Sequence, residues 1–299
     1  MRVYSIDAPL PDISPAVVLG NFDGVHIAHR KLISEAKKCG FPVAVFTFSG
    51  QKAPYITSES EKLALLEKAG VDLVYLGDFD KLRTMPYDLF FNEILTRKIG
   101  ASRIYCGFNY TFGYKASGGS ADLERLCSIA GIECTVLPEI CLDGECVSST
   151  AVRNLLSQGE VEYAAKMLGH DYEITGVVSH GKALGRKLGF PTLNIPYENG
   201  RAPLRTGVYF TKCRIKDAVY PSVTNVGTQP TFDGTSNICE TYILGSCGEL
   251  YGIEAEVSFL KFRRDERKFE NADALYAAVH DDIAAAKEYF KISETEVNI

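Results

Sequence analysis

Between residues 1 and about 168, short unbroken apolar runs alternate with longer stretches of helical spacing. The runs are "AVVLG" from Ala16, "VAVFTF" from Val43, "DLVYLG" from Asp72, "RIYCG" from Arg103 and "ECTVL" from Glu133. Rich in β-branched and aromatic residues and closed by glycine or turn residues, they read as strands buried on both faces. Between them, "HIAHRKLISEAKK", "SESEKLALLEKAG" and "YDLFFNEILTRKIG" carry apolar residues at helical spacing. Ser58 and Glu61 form a capping box at the start of the second of these, and Gly70 ends it. Strand and helix in alternation predict an α/β domain with an open parallel sheet covered by helices.

After about residue 170 the period changes. "YEITGVVSHG", "GVYFTKCRI", "VYPSVTNVG", "ETYILG" and "GIEAEVSFLKF" follow one another with turns rather than helices between them, which predicts a small antiparallel β-barrel. One amphipathic helix follows, roughly "NADALYAAVHDDIAAAKEYF". Two helical segments within "STAVRNLLSQGEVEYAAKMLG" close the first domain, so the expected domains are 1–168 and 169–299.

Composition narrows the class of function. The 299 residues are 46% hydrophobic and 23% charged, as in ordinary globular domains. A net charge of −6 argues against a nucleic-acid surface, which needs clustered Lys and Arg. No apolar run is long enough to span a bilayer and no secretory signal opens the chain, so the expectation is a cytoplasmic protein without a membrane partner. The nine cysteines are scattered and lack any Cys-x-x-Cys, which argues against a disulfide framework or a zinc site.

"GNFDGVHIAHRKL" carries the first candidate chemistry. The loop follows the strand from Ala16, so it lies at the edge of the sheet where α/β proteins collect ligands. His26 and His29, three apart at a helix start, would share one face and could both donate to a phosphate attracted by the free backbone N–H groups. The plain alternative is that one histidine caps or packs while the other is solvated. Ser149, Thr150 and Arg153 in "VSSTAVRNLL" read either as an anion clamp or as an ordinary N-cap with a neighbouring cation.

These residues resemble the nucleotidyltransferase superfamily: Gly20 to His29 match its GxFDGxHxGH motif and "VSSTAVR" its ISSTxIR segment. The resemblance implies that Asn21, Asp23, His26, His29, Ser149, Thr150 and Arg153 serve nucleotide binding, with the two histidines catalytic. It adds Asn109 in "CGFNYTFG" as a nucleotide contact. Ala28 stands where the family has glycine, and its methyl would narrow the approach to phosphate.

In the second half, "GVVSHGKALGRKLGFPTLNI" is glycine-rich but lacks GxxxxGK[ST]. By itself it reads equally as barrel hairpins or as a phosphate cradle. It resembles the riboflavin kinase motif GxVxxGxxxGRxLGFPTxN, and "NVGTQPTF" from Asn225 resembles that family's NxGxxPTF. The likeness implies ATP contacts at Gly181, Gly185, Gly189 and Thr192, Mg²⁺ ligands at Thr192 and Asn194, and a catalytic base at Glu240. It also implies a flavin-ordering arginine at Arg264, with Arg263 the close competitor.

In this order the motifs resemble the bacterial bifunctional riboflavin kinase/FMN adenylyltransferase family. That likeness implies riboflavin, FMN, FAD and ATP as ligands, Mg²⁺ as cofactor, and a monomer or weak homo-oligomer. Rival readings are a kinase that has lost adenylyl transfer, a flavin sensor without turnover, and a cytidylyltransferase with an unrelated barrel.

Overall fold

The computed structural model describes residues 1–50, 53–179, 190–231, 234–245 and 251–292. The chain divides into two compact units, Met1–Ala151 and Val152–Ile299.

The first unit is built on a six-stranded parallel sheet. Its strands are β1 (Arg2–Ser5), β2 (Ala16–Leu19), β3 (Val43–Ser49), β4 (Leu73–Asp78), β5 (Arg103–Gly107) and β8 (Glu133–Leu137), in the order β1-β4-β3-β2-β5-β8. Two short pairs lie outside it: β6 (Thr111–Phe112) with β7 (Gly118–Gly119), and β9 (Cys141–Leu142) with β10 (Glu145–Cys146). The five predicted strands are present. Edge strand β1 was not foreseen, because its four residues are mostly exposed and show no apolar run.

Alternation sorts each central strand between two cores. Val17, Leu19, Ala44, Phe46, Leu73, Tyr75 and Ile104 pack on one face. Ala16, Val18, Val43, Val45, Val74 and Tyr105 pack on the other. The helix Glu59–Lys68 carries the expected capping box: Glu61 N donates to Ser58 Oγ at 3.2 Å and Ser58 N to Glu61 at 2.8 Å. The stretch 87–100 is helical, but Phe90–Lys98 takes the wider π form, with Ile99 N bonded back to Ile94 O. Nine residues are too few for apolar spacing to separate that period from 3.6.

The second unit begins with the helices Ser149–Gln158, which starts in the first unit, and Val161–Leu168. A six-stranded antiparallel sheet follows: β11 (Tyr172–Val177), β12 (Thr192–Pro196), β13 (Gly207–Ile215), β14 (Ala218–Thr231), β15 (Gly234–Ile243) and β16 (Glu254–Asp265). The order is β11-β16-β13-β14-β15-β12, and the sheet curls so that a bridge between Ser179 and Asn194 joins its edges. Inside, the hydroxyls of Thr211, Thr224 and Thr241 form a buried chain across β13, β14 and β15, at 2.8 and 2.9 Å. The helix Ala272–Phe290, capped by the Asn271 side chain, lays Ile283 and Ala286 on Val208, Phe210 and Val223.

Gly207 is needed where β13 meets β16. At φ +146° its backbone approaches the Arg264 carbonyl so closely that a Cβ would collide with it.

Candidate functional sites

In the first unit a cavity of about 330 Å³ opens at the carboxyl ends of β2 and β5. Strand β2 has β3 on one side and β5 on the other, so this is the point where the sheet order reverses direction and a crevice forms. Asn21, His26, Ala28, His29, Asn109 and Ser149 all line it.

The turn after β2 puts Phe22, Gly24 and Val25 at positive φ. Burial of Phe22 and Val25 offsets that strain. The carboxylate of Asp23 accepts from the N–H groups of Ile56 and Thr57 at 2.8 and 3.2 Å, fixing the turn to the loop before the second helix. Gly24 N donates to Thr57 Oγ1 at 3.1 Å.

His26 is the N-cap of the helix Ile27–Lys37 rather than its first member, and its Nδ1 accepts from His29 N at 3.4 Å. That bond places the ring proton on Nε2, which leaves Nε2–H as the donor of the neutral ring. The His26 and His29 rings stack with centroids 3.6 Å apart and 13° between planes. Phe22 packs on the other side of His29 at 4.8 Å. Burial lowers the His26 pKa to about 4. His29 is held well below its usual range by burial first and by His26 second. Both imidazoles are therefore neutral donors at neutral pH. Nδ1 of His29 is buried without a hydrogen-bond partner.

Ser149 donates to the Asp23 carbonyl at 2.9 Å, and Ser148 accepts from Ala151 N at 3.1 Å as an N-cap does. Thr150 follows in the first helical turn, and Arg153 lies beyond Ala151, in the second unit.

The second unit has a cavity of about 360 Å³ between the sheet and the helix Ala272–Phe290. One cross-strand row crosses its floor. Asn194 on β12 pairs with Glu240 on β15, Glu240 with Asn225 on β14, Asn225 with Val208 on β13, and Val208 with Arg264 on β16. All five line the cavity, as do Thr192 and Tyr242, another directly paired couple. Asn194 is buried, and its Oδ1 has no hydrogen-bond partner. Arg264 forks onto Asp282 of the helix, Nε at 2.9 Å and Nη2 at 2.6 Å.

The carboxylate and amide row, the oriented arginine and the paired imidazoles on a helix start meet known relatives at this point. Residues 11–151 match the FAD synthetase family model and residues 168–290 the riboflavin kinase family model. The bifunctional riboflavin kinase/FMN adenylyltransferase of Haemophilus influenzae is 33% identical over 290 residues, covering 92% of this chain and 94% of that protein. Its counterpart in Escherichia coli strain K12 is 32% identical over 299 residues, covering 95% of each. The chain belongs to the bifunctional riboflavin kinase/FMN adenylyltransferase family. A crystal structure of a macrolide-efflux protein from Streptococcus pneumoniae has the same fold, with a TM-score of 0.86 at 28% identity over 95% of this chain and 98% of that one. The efflux description belongs to that protein; among the described residues here no helix is long and apolar enough to cross a membrane.

In the FAD synthetase domain the cavity thus gathers six of the positions named from sequence or motif, while Asp23 is engaged with backbone behind the turn. In the riboflavin kinase domain it gathers Thr192, Asn194, Glu240 and Arg264. Gly181, Gly185 and Gly189 lie outside the described residues. Arg263 does not line the cavity and instead reaches Asp281 at 3.1 Å. A β-bulge separates the two arginines: Val208 pairs with Arg264 and Tyr209 with Phe262, so Arg263 is the extra residue. Sequence reasoning missed Asn225 and Asp282. Asn225 opened a quoted motif without being assigned a role, and Asp282 had no signal beyond its place on an amphipathic helix.

Proposed function

We propose that each domain holds its own ATP and that the two cavities perform successive steps. In the kinase cavity the ribityl hydroxyl of riboflavin attacks the γ-phosphorus of ATP, ADP leaves, and Glu240 accepts the hydroxyl proton. Arg264, held by Asp282, orders the flavin. In the adenylyltransferase cavity the phosphate of FMN attacks the α-phosphorus of a second ATP and pyrophosphate leaves. That nucleophile is already anionic, so positioning and charge stabilisation are the work required. The Nε2–H of His26, together with His29, Asn21, Ser149, Thr150 and Arg153, meets the phosphates, and Asn109 the nucleotide. Asp23 acts by holding the turn.

The buried, unpartnered Oδ1 of Asn194 is a hard oxygen of the kind Mg²⁺ takes, and with the Thr192 hydroxyl it would hold that ion. Bound there, Mg²⁺ would neutralise phosphate charge.

The observation that carries this reading is the cross-strand row that sets Asn194, Glu240 and Asn225 side by side on one cavity floor. The helices up to residue 168 are assigned to the adenylyltransferase half as its functional boundary. The test is to supply riboflavin, ATP and Mg²⁺ and follow riboflavin, FMN and FAD by chromatography. FMN followed by FAD is the expected result. FMN without FAD would leave a kinase alone and point to Ala28, and no riboflavin consumption would leave a flavin sensor. FMN with CTP in place of ATP tests the cytidylyltransferase reading.

A further inference from the structure

The hairpin β9–β10 carries side chains that neither reaction uses. Its turn residues Asp143 and Gly144 both have positive φ, the pattern of a tight type I′ turn. Cys141 and Cys146 are direct partners across it. The flanking pair is joined by Val147 N to Ile140 O at 2.9 Å, so the cysteines occupy the adjacent position, where antiparallel side chains stand closest. Their sulfurs are 4.0 Å apart. Glu139 completes a cluster whose ligand atoms all lie within 4.8 Å of one another, and all three residues are exposed.

We propose that Glu139, Cys141 and Cys146 form a binding site for a soft divalent cation of the zinc class. Tetrahedral Zn²⁺ with sulfur at about 2.3 Å places two thiolates about 3.8 Å apart, close to the observed spacing. A disulfide needs sulfurs about 2.05 Å apart and would require the pair to draw together. Thiolates select zinc over magnesium, so the site does not compete for the ion of the kinase cavity. Three protein ligands leave a fourth position to water, and exposure gives the ion a path in. In sequence the ligands alternate with the cavity wall, since Pro138, Ile140 and Val147 line the adenylyltransferase cavity. A bound ion would tie residue 139 to residue 146 and stiffen that wall. The sequence hid this site because four residues separate the cysteines, two more than Cys-x-x-Cys spacing allows, and only the hairpin turn folds them together.

The experiment titrates reduced, chelator-treated full-length protein with Zn²⁺ against a chromogenic chelator. Wild type and Cys39→Ser are expected to show the same single site, Cys141→Ser and Cys146→Ser to lose it, and Glu139→Gln to bind at least about tenfold more weakly. Wild-type riboflavin phosphorylation and circular dichroism in each variant establish that it is folded. On wild type, Cd²⁺ should give a charge-transfer band of two thiolates. The proposal is overturned by a wild type without a stoichiometric site, by either cysteine variant retaining it, or by a missing cadmium band.

Discussion

Glu240 stands directly across the sheet from Asn194, with Asn225 on its other flank. Glu240→Gln keeps the size of the side chain and removes its capacity as a base. Riboflavin phosphorylation should fall by about 10²-fold or more. FAD formation from supplied FMN should stay at the wild-type rate. A variant that phosphorylates riboflavin normally would remove Glu240 from the chemistry.

Asn194→Ala deletes the one oxygen in the row that the fold leaves buried and unbonded. With the ligand gone, the Mg²⁺ concentration for half-maximal kinase rate should rise about tenfold or more. Titrating MgCl₂ at fixed ATP and riboflavin reads this. An unchanged midpoint would move the ion elsewhere.

His26→Asn and His29→Asn should each lower FMN adenylylation by about 10²- to 10³-fold, the usual effect of losing one donor to developing charge, while leaving riboflavin phosphorylation intact.

The histidine pair also fixes a pH dependence. Folding lowers the His26 pKa from 6.5 to about 4, and holds His29 lower than usual as well. Below pH 6.5 the unfolded chain therefore binds protons that the folded chain refuses. Stability from these groups is full above about pH 6.5 and is lost as pH falls toward 4, with a slope of up to about 1.4 kcal/mol per pH unit for each group. Hydrogen exchange of amides in the helix Ile27–Lys37 at pH 7, 6 and 5 measures it. His26→Asn should flatten the slope.

Asp282 is buried beneath Arg264, with side-chain exposures of 4% and 22%. Asp282→Asn leaves the guanidinium facing a neutral partner, a loss on the order of 3 kcal/mol for a buried pair. The expected outcome is a raised KM for riboflavin and a lower melting temperature of the kinase domain. FMN adenylylation at 25 °C should be unaffected. Equal KM values would assign the pair to stability alone.

Strands of the parallel sheet were legible because strands buried on both faces must be apolar throughout, and Ser58 with Glu61 announced a helix start by local chemistry alone. His26 and His29 were legible as a pair. Their roles were not: that His26 is the cap, and that its ring lies on His29, follows from a backbone turn whose positive φ values no spacing displays. Asp23 entered as part of a nucleotide-binding motif, and no spacing displays that its carboxylate also accepts from N–H groups more than thirty residues away.

The sequence by itself determined the two-part organisation, the alternation of strand and helix followed by strands alone, and the residue types gathered for phosphate chemistry, since these rest on local period and short motifs. Only the tertiary structure decided which of those residues meet. Residues 194, 240, 225, 208 and 264 fall into one row through antiparallel register, and the extra residue at Arg263, one of two register shifts in β16, sets Arg264 opposite Val208 in place of Arg263. Side-chain direction in a sheet reverses with every residue, so a one-residue bulge changes which group faces the cavity while leaving the local sequence pattern unaltered.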